Sequence, residues 1–372
     1  MRSCAIFVIV VSYMDQRSKI AIIGFGVEGK TMLNYLVEHK YDNITVCDKD
    51  VQLNSKMPDG VSVRLGEHYL DGLNDFDVIF RSPGVSYYEP SIVAAKLSGS
   101  IITSPTQYFL DHCPCKVIGV TGTKGKGTTS TLIYEIIKEQ FEGRSRSVFG
   151  LGGFLKRKIG GKATQSRRVY LGGNIGNCPI EFLDKLKGND IVVLEMSCFQ
   201  LGDLNKSPSI AVLLNTTSDH LDYYPDRDEY LKAKELILEN QTEKDTAILN
   251  IDYEYSKYYA PLVKGELLYV SPRNGHYWKT NALGTPSVYV DKGWIIHNDE
   301  KIIKVSDVAL IGSHNLENVC PAILVGKKIG VSSGIISKVV RNFRGLPHRL
   351  EFVAKIKGVS FYNDSFSTNP QT

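Results

Sequence analysis

The sharpest chemistry in the chain is carried by Gly119-Val-Thr-Gly122-Thr123-Lys124-Gly125-Lys126-Gly127-Thr128-Thr129. Glycines let backbone N–H groups converge on an anion, a lysine neutralises β and γ phosphate oxygens, and a hydroxyl can hold Mg²⁺. The strict phosphate-loop pattern is departed from twice, at Val120 and at Gly127. A second cluster, Gly24-Phe-Gly26-Val-Glu-Gly29, is followed about twenty residues on by Asp48. Its glycines would let a diphosphate approach a helix N-terminus, and the carboxylate would reach a sugar hydroxyl or base. Alone, this cluster fits NAD, another diphosphate nucleotide, or a tight strand-to-helix turn with no ligand.

Both clusters need the same frame, a buried strand running into a turn and then a helix. From Lys19 onward strand-like and helix-like segments alternate, the pattern of α/β domains with parallel sheets. Lys19 to Ile23 is a buried strand entering Gly24, helical periodicity runs from about Val27 to His39, and Ile44 to Cys47 is a strand ending at Asp48. Asp77 to Phe80 leads into the turn Ser82-Pro83-Gly84-Val85. Lys116 to Val120 opens a second α/β unit, with Ile191 to Leu194 and Ile210 to Leu214 as further strands. Residues 143–168 read as a loop rich in Gly, Lys, Arg and Ser. Short alternating strands between about 265 and 305, such as Ser287 to Val290 and Trp294 to Ile296, read as a small sheet attached to the central unit.

At 372 residues the chain is too long for one core. The expected division is an extension over 1–18, a Rossmann-like domain over 19–113, a phosphate-loop α/β domain with a small extra sheet over 114–345, and the start of a third α/β domain over 346–372. A net charge of +4 gives no basis for nucleic-acid binding, and no apolar run is long enough to span a membrane. Residues 1–13 read as an extension ahead of a start at Met14. The seven cysteines, Cys4, Cys47, Cys113, Cys115, Cys178, Cys198 and Cys320, read as thiols in a reducing cytoplasm. Cys113-Pro114-Cys115 has no second pair to complete a zinc site.

With these elements in place a resemblance emerges. Thr121-Gly-Thr-Lys-Gly-Lys-Gly-Thr-Thr129 resembles the ATP loop of the Mur ligases and of their relative folylpolyglutamate synthase, Gly127 being nearer the latter. Gly172-Gly-Asn174-Ile-Gly176, Leu194-Glu195-Met-Ser197-Cys-Phe-Gln200-Leu and Asn215-Thr-Thr-Ser-Asp219-His220-Leu-Asp222 are similar, in order, to central motifs of the D-glutamate-adding Mur ligases. Ser82-Pro-Gly84-Val, Gly312-Ser-His314-Asn315 and Leu346-Pro-His348-Arg349 match as well, so the similarity runs from about Lys19 to the last residue.

The resemblance implies an ADP-forming, ATP- and Mg²⁺-using amide ligase of peptidoglycan precursor synthesis, cytoplasmic and monomeric. Its substrates would be UDP-N-acetylmuramoyl-L-alanine and D-glutamate, joined through an acyl phosphate. Gly24, Gly26, Gly29, Asp48, Ser82, Gly84, Asn174, Ser197 and Gln200 would then meet the UDP-sugar. Gly122 to Thr129, Asn315, Asn318, Arg349 and Asp364 would meet ATP, with Lys126 on the phosphates. Glu195, His220 and Thr128 would hold metal, Thr129 being the alternative hydroxyl. Lys234 would be carbamylated and carry Mg²⁺, with Lys232 the competing position; Lys126, His220 and Lys234 are the expected catalytic set. Thr368 would contact the amino acid.

Two departures bear on activity. Phe366 stands where these ligases have lysine, and the sequence ends at Thr372, early in the expected third domain. The expectation is a chain that binds nucleotides without turnover. The rival readings are another Mur-type or folylpolyglutamate-like ligase and a non-catalytic nucleotide-binding protein.

Overall fold

The computed structural model describes residues 14–143, 167–216, 227–273 and 283–365. The first unit contains β1 (Ile20–Ile23), α1 (Val27–Glu38), β2 (Ile44–Asp48), β3 (Ser62–Leu65), β4 (Val78–Arg81), α2 (Pro90–Leu97), β5 (Ile101–Thr103) and α3 (Pro105–His112). Its strands lie in the order β3-β2-β1-β4-β5, all parallel. A central parallel strand is covered on both faces, which is why β1 and β4 are buried along their whole length. Proline stands in the first turn of α2 and α3, where its missing N–H costs nothing, and the Ser104 side chain accepts the Gln107 N–H to start α3. Folding begins ahead of Lys19: Met14, within the expected extension, is buried in the core.

The central unit follows with β6 (Lys116–Thr121), α4 (Lys126–Phe141), β7 (Val169–Gly173), β8 (Ile191–Glu195), α5 (Cys198–Leu201), β9 (Ile210–Leu213), α6 (Arg227–Glu239), β10 (Thr246–Asn250), α7 (Tyr255–Tyr259) and β11 (Glu266–Ser271). It continues through β12 (Val288–Asp291), β13 (Trp294–His297), β14 (Glu300–Lys304), α8 (Leu316–Ile329) and α9 (Ser333–Asn342). One nine-stranded sheet runs β14-β13-β12-β11-β10-β9-β6-β8-β7. The short alternating strands attach to it through β12, which pairs parallel with β11, while β13 and β14 add antiparallel at the edge. A hairpin of β15 (Glu351–Ile356) and β16 (Val359–Asn363) ends the described chain.

Leu132, Ile133, Ile136 and Ile137 form two apolar pairs one turn apart on α4, so that helix buries a face against the sheet and α8. Each such fully buried side chain contributes about 1.5–3 kcal/mol. One apolar cluster runs across both units: Ile20, Ile22 and Phe109 of the first join Phe182, Val192 and Leu213 of the second. Phe109 and Phe182 meet edge to face with ring centres 5.7 Å apart.

In each sheet, parallel strands with helical crossovers leave a crevice at their carboxyl ends where the strand order reverses. In the first unit this lies between β1 and β4; in the second it lies around β6, flanked by β8 and β9. Both glycine clusters follow those strands.

Candidate active site

β6 delivers Thr121 to the carboxyl edge of the large sheet and α4 begins at Lys126, leaving Gly122 to Gly125 as the turn. Gly125 caps the helix with φ +82°, and a side chain there would collide with the Asn318 carboxamide. Position 125 therefore takes glycine for conformation and for space. Lys126 folds back over the loop, its Nζ donating to the carbonyls of Gly122 (3.0 Å) and Thr123 (3.1 Å). Thr128 and Thr129 are buried in the first turn. Thr129 donates to Asn318 Oδ1 (3.2 Å), Asn318 Nδ2 to Asn315 Oδ1 (2.8 Å), and Asn315 Nδ2 to the Ile311 carbonyl (2.7 Å). The two asparagines are thus joined to each other and to the phosphate-loop helix.

Helix α6 packs against the same loop. The Tyr230 hydroxyl lies 2.9 Å from Thr123 Oγ1, and Lys234 Nζ sits 4.5 Å above the Tyr230 ring. Lys234 is 1% exposed, whereas Lys232 is exposed and pairs with Glu229 at 2.8 Å. Burial separates the two lysines that the sequence left in competition.

Glu195 closes β8, in register with Val120 of β6, and is buried. Burial pushes its carboxyl above the ordinary value, while Lys126, Asn174 and Arg349 pull it back down. Asn174 Nδ2 is 3.5 Å from Glu195 Oε1, and the Asn174 backbone N–H donates to the Glu195 carbonyl (2.9 Å). A side chain at position 127 would meet Leu346, Ile175 and then Glu195 Oε2, so the departure from the strict loop pattern faces this carboxylate. Asp364 Oδ1 accepts the Leu350 N–H (3.1 Å), holding the base of the hairpin beside Arg349. Among the described residues no three His, Cys, Asp or Glu side chains gather as a metal cluster. Glu195 and Thr128 nonetheless supply hard oxygen donors, and Mg²⁺ normally completes its shell with water and substrate phosphate, so the donor set fits that ion. His220, Thr368 and Phe366 lie outside the described residues, as does most of the loop expected over 143–168.

The first glycine cluster lines a cleft of about 420 Å³ with Asp48, Lys49, Tyr69, Ser82, Gly84 and Val85. Gly24 turns with φ +81°, and a side chain at Gly29 would strike the Gly24 carbonyl, so close helix-to-turn packing requires glycine at 29. Asp48 Oδ2 accepts the Phe25 N–H (2.6 Å) and Oδ1 the Asp50 N–H (2.8 Å). Ser82 Oγ donates to the Gly24 carbonyl (2.5 Å). Gly24, Gly26, Gly29, Asp48, Ser82 and Gly84 thus come together. Asn174 instead stands by Glu195, and Ser197 and Gln200 form a reciprocal cap on α5. The remaining Gln200 group, Nε2, donates to Glu28 Oε1 across the two units (2.6 Å).

Four residues were not picked out from the sequence. Glu28, inside the first glycine cluster, has Oε2 enclosed with no hydrogen-bond partner, and burial pushes its carboxyl up to about 7. Arg81 and Asp203 form an ion pair, 2.5 Å and 1% exposed each, and Arg81 Nη2 also donates to the Phe199 carbonyl (2.9 Å). A charged residue ending a buried strand, as Arg81 does, was the available signal. Tyr230 sits one turn before Lys234 and had none beyond that spacing.

Each of the two crevices is a glycine turn between a parallel strand and a helix, set at the carboxyl edge of its sheet. The sequence matches the Mur ligase middle domain over residues 120–326 and the Mur ligase MurD-like N-terminal domain over 18–104. It is 35% identical to the UDP-N-acetylmuramoylalanine–D-glutamate ligase of Acetivibrio thermocellus, covering 95% of this chain and 71% of that one. The protein of the same name from Clostridium tetani is 34% identical, over 95% and 70% of the two chains. Among solved structures, the UDP-N-acetylmuramate:L-alanyl-gamma-D-glutamyl-meso-diaminopimelate ligase of Neisseria meningitides superposes with a TM-score of 0.54 at 16% identity, covering 88% of this chain and 99% of that one. The MurF ligase of Thermotoga maritima, solved in complex with ADP, gives 0.50 at 20% identity over 93% and 67%. The chain belongs to the Mur ligase family.

Proposed function

We propose that the chain joins D-glutamate to UDP-N-acetylmuramoyl-L-alanine at the expense of ATP. The observation that carries this reading is the segment Glu195 to Gln200. Its first residue faces the phosphate loop beside Lys126, and its last reaches Glu28 in the glycine turn of the other cleft. A strand end and one turn of helix therefore bridge two nucleotide-type sites. That is the arrangement needed to bring a carboxylate, carried on one nucleotide, to the terminal phosphate of another.

In this reading the first cleft holds the UDP moiety, with Gly24, Gly26 and Gly29 at the diphosphate and Asp48 at the uridine. Lys126 leaves its loop carbonyls for the β and γ phosphates of ATP, while Asn315 and Asn318 flank the nucleoside. Glu195 and Thr128, with Lys234 as a carbamate and His220, would hold Mg²⁺, which supplies neutralisation of phosphate charge. Arg349 and Asp364 close over the nucleotide from the hairpin. The substrate carboxylate displaces ADP from the γ-phosphate, and the amine of the amino acid displaces phosphate from the resulting acyl group. The protein contributes alignment and charge rather than a nucleophile.

The test is mass spectrometry of UDP-N-acetylmuramoyl-L-alanine incubated with the protein, ATP, Mg²⁺ and D- or L-glutamate. A glutamyl adduct formed with the D enantiomer is the result this reading expects, and it would overturn the sequence-based expectation of nucleotide binding without turnover. An adduct formed only with another amino acid, or none alongside intact nucleotide binding, overturns the assignment.

A further inference from the structure

The chain crosses from the first unit to the central one between His112, the last residue of α3, and Lys116, the first of β6. Two of the three linking residues are cysteines, and neither belongs to the sites described above. Cys113 Sγ and Cys115 Sγ lie 3.6 Å apart, and both residues are partly exposed at the surface. The other described cysteines, Cys47, Cys178, Cys198 and Cys320, are buried.

We propose that Cys113 and Cys115 are a redox modification site that takes small-molecule disulfides and closes to an intrachain disulfide in the link between the two units. Bond formation requires the sulfurs to approach from 3.6 Å to about 2.0 Å. The surroundings distinguish the two thiols. Lys206 donates from Nζ to the Leu110 carbonyl (2.6 Å), placing a cation against the carboxyl end of α3 where Cys113 caps the helix. The hydrogen bond shared with Cys115 holds the Cys113 thiol below its ordinary value, with Lys206 adding to the effect. The same bond and burial push Cys115 up. The Lys206 cation beside Cys113 makes that residue the attacking thiolate in this proposal and Cys115 the resolving thiol.

The chemistry balances with a disulfide RSSR as oxidant. Cys113 thiolate attacks one sulfur of RSSR, forming a mixed disulfide and releasing RS⁻. Cys115 gives its proton to solvent and attacks Cys113 Sγ, breaking the mixed disulfide and releasing a second RS⁻. Two electrons pass to RSSR, leaving the protein disulfide and, once protonated, two RSH.

The experiment equilibrates the reduced 372-residue chain with oxidised glutathione, blocks remaining thiols by alkylation, and reads intact mass and peptide maps. The expected product has lost two hydrogens, with the cross-link confined to the peptide holding residues 113–115. Cys115→Ser keeps a hydroxyl donor beside Cys113 and is expected to trap one glutathione there, at least ~tenfold faster than Cys113→Ser takes one at Cys115. A wild-type chain that keeps both thiols free, or stops at a stable glutathione adduct, overturns the site. Equal rates in the two variants overturn the assignment of the attacking thiol.

Discussion

Lys126 spends its ammonium on two carbonyls of its own loop, and nothing about those bonds requires a lysine for folding. Its replacement should therefore cost chemistry and not stability. Lys126→Ala is expected to lower kcat/KM for ligation by about 10²–10³-fold, the usual cost of removing one group aimed at developing charge, while leaving the thermal midpoint within about a degree. A variant that unfolds early would show the lysine to be structural. Lys234 presents the reverse case, a buried amine beside an aromatic ring and the phosphate loop. A buried ammonium is unfavourable and a neutral amine can take up carbon dioxide. Supplied with ¹³C-bicarbonate, the wild-type chain should show one carbamate resonance by NMR. Lys234→Ala should lose it, and Lys232→Ala, at the exposed pair with Glu229, should keep it. Retention in Lys234→Ala would end that assignment.

At the scale of elements, β4 and the turn that follows α5 are tied by a guanidinium and a carboxylate that have almost no contact with water. Removing one partner leaves the other charge buried and uncompensated, so Arg81→Ala should destabilise the fold by about 3–5 kcal/mol in urea titrations. The double replacement Arg81→Met with Asp203→Leu should recover most of that loss. If the single and double variants are equally weak, the pair matters through packing and not charge. This tie also marks where sequence reading stops. The buried runs at Ile20, Lys116, Ile191 and Ile210 made the parallel strands legible, and the glycine turns after them located both crevices. Arg81 and Asp203 are 122 residues apart, and no local pattern announces that they meet. Ser197 and Gln200 were legible as a motif, but their spacing is also that of a reciprocal helix cap, which is how the structure uses them. Lys232 and Lys234 stood two residues apart in a charged stretch, and only the packing of α6 on the phosphate loop put one inside and one out.

The whole molecule depends on how its two units are held face to face, and one contact between them is sensitive to pH. Gln107 and Asn205 exchange two hydrogen bonds, 2.5 and 2.8 Å, using neutral groups. Glu28 meets Gln200 with a carboxyl that ionises only near 7, against 4.5 when exposed, because burial penalises its charge. Between these values the folded chain holds a proton that the unfolded chain has released. Glu28's contribution to stability is thus complete below about pH 4.5 and is lost as pH rises through 7. Glu28→Gln keeps an uncharged group of the same shape and should remove this loss. Compared by denaturant unfolding from pH 4.5 to 8, the variant should gain on the wild type as pH rises, by on the order of 1–3 kcal/mol at the alkaline end. Profiles that run parallel would mean that the carboxylate finds compensation when it ionises. The same proton would then have no part in holding the glycine turn of one cleft against the helix that leads to the other.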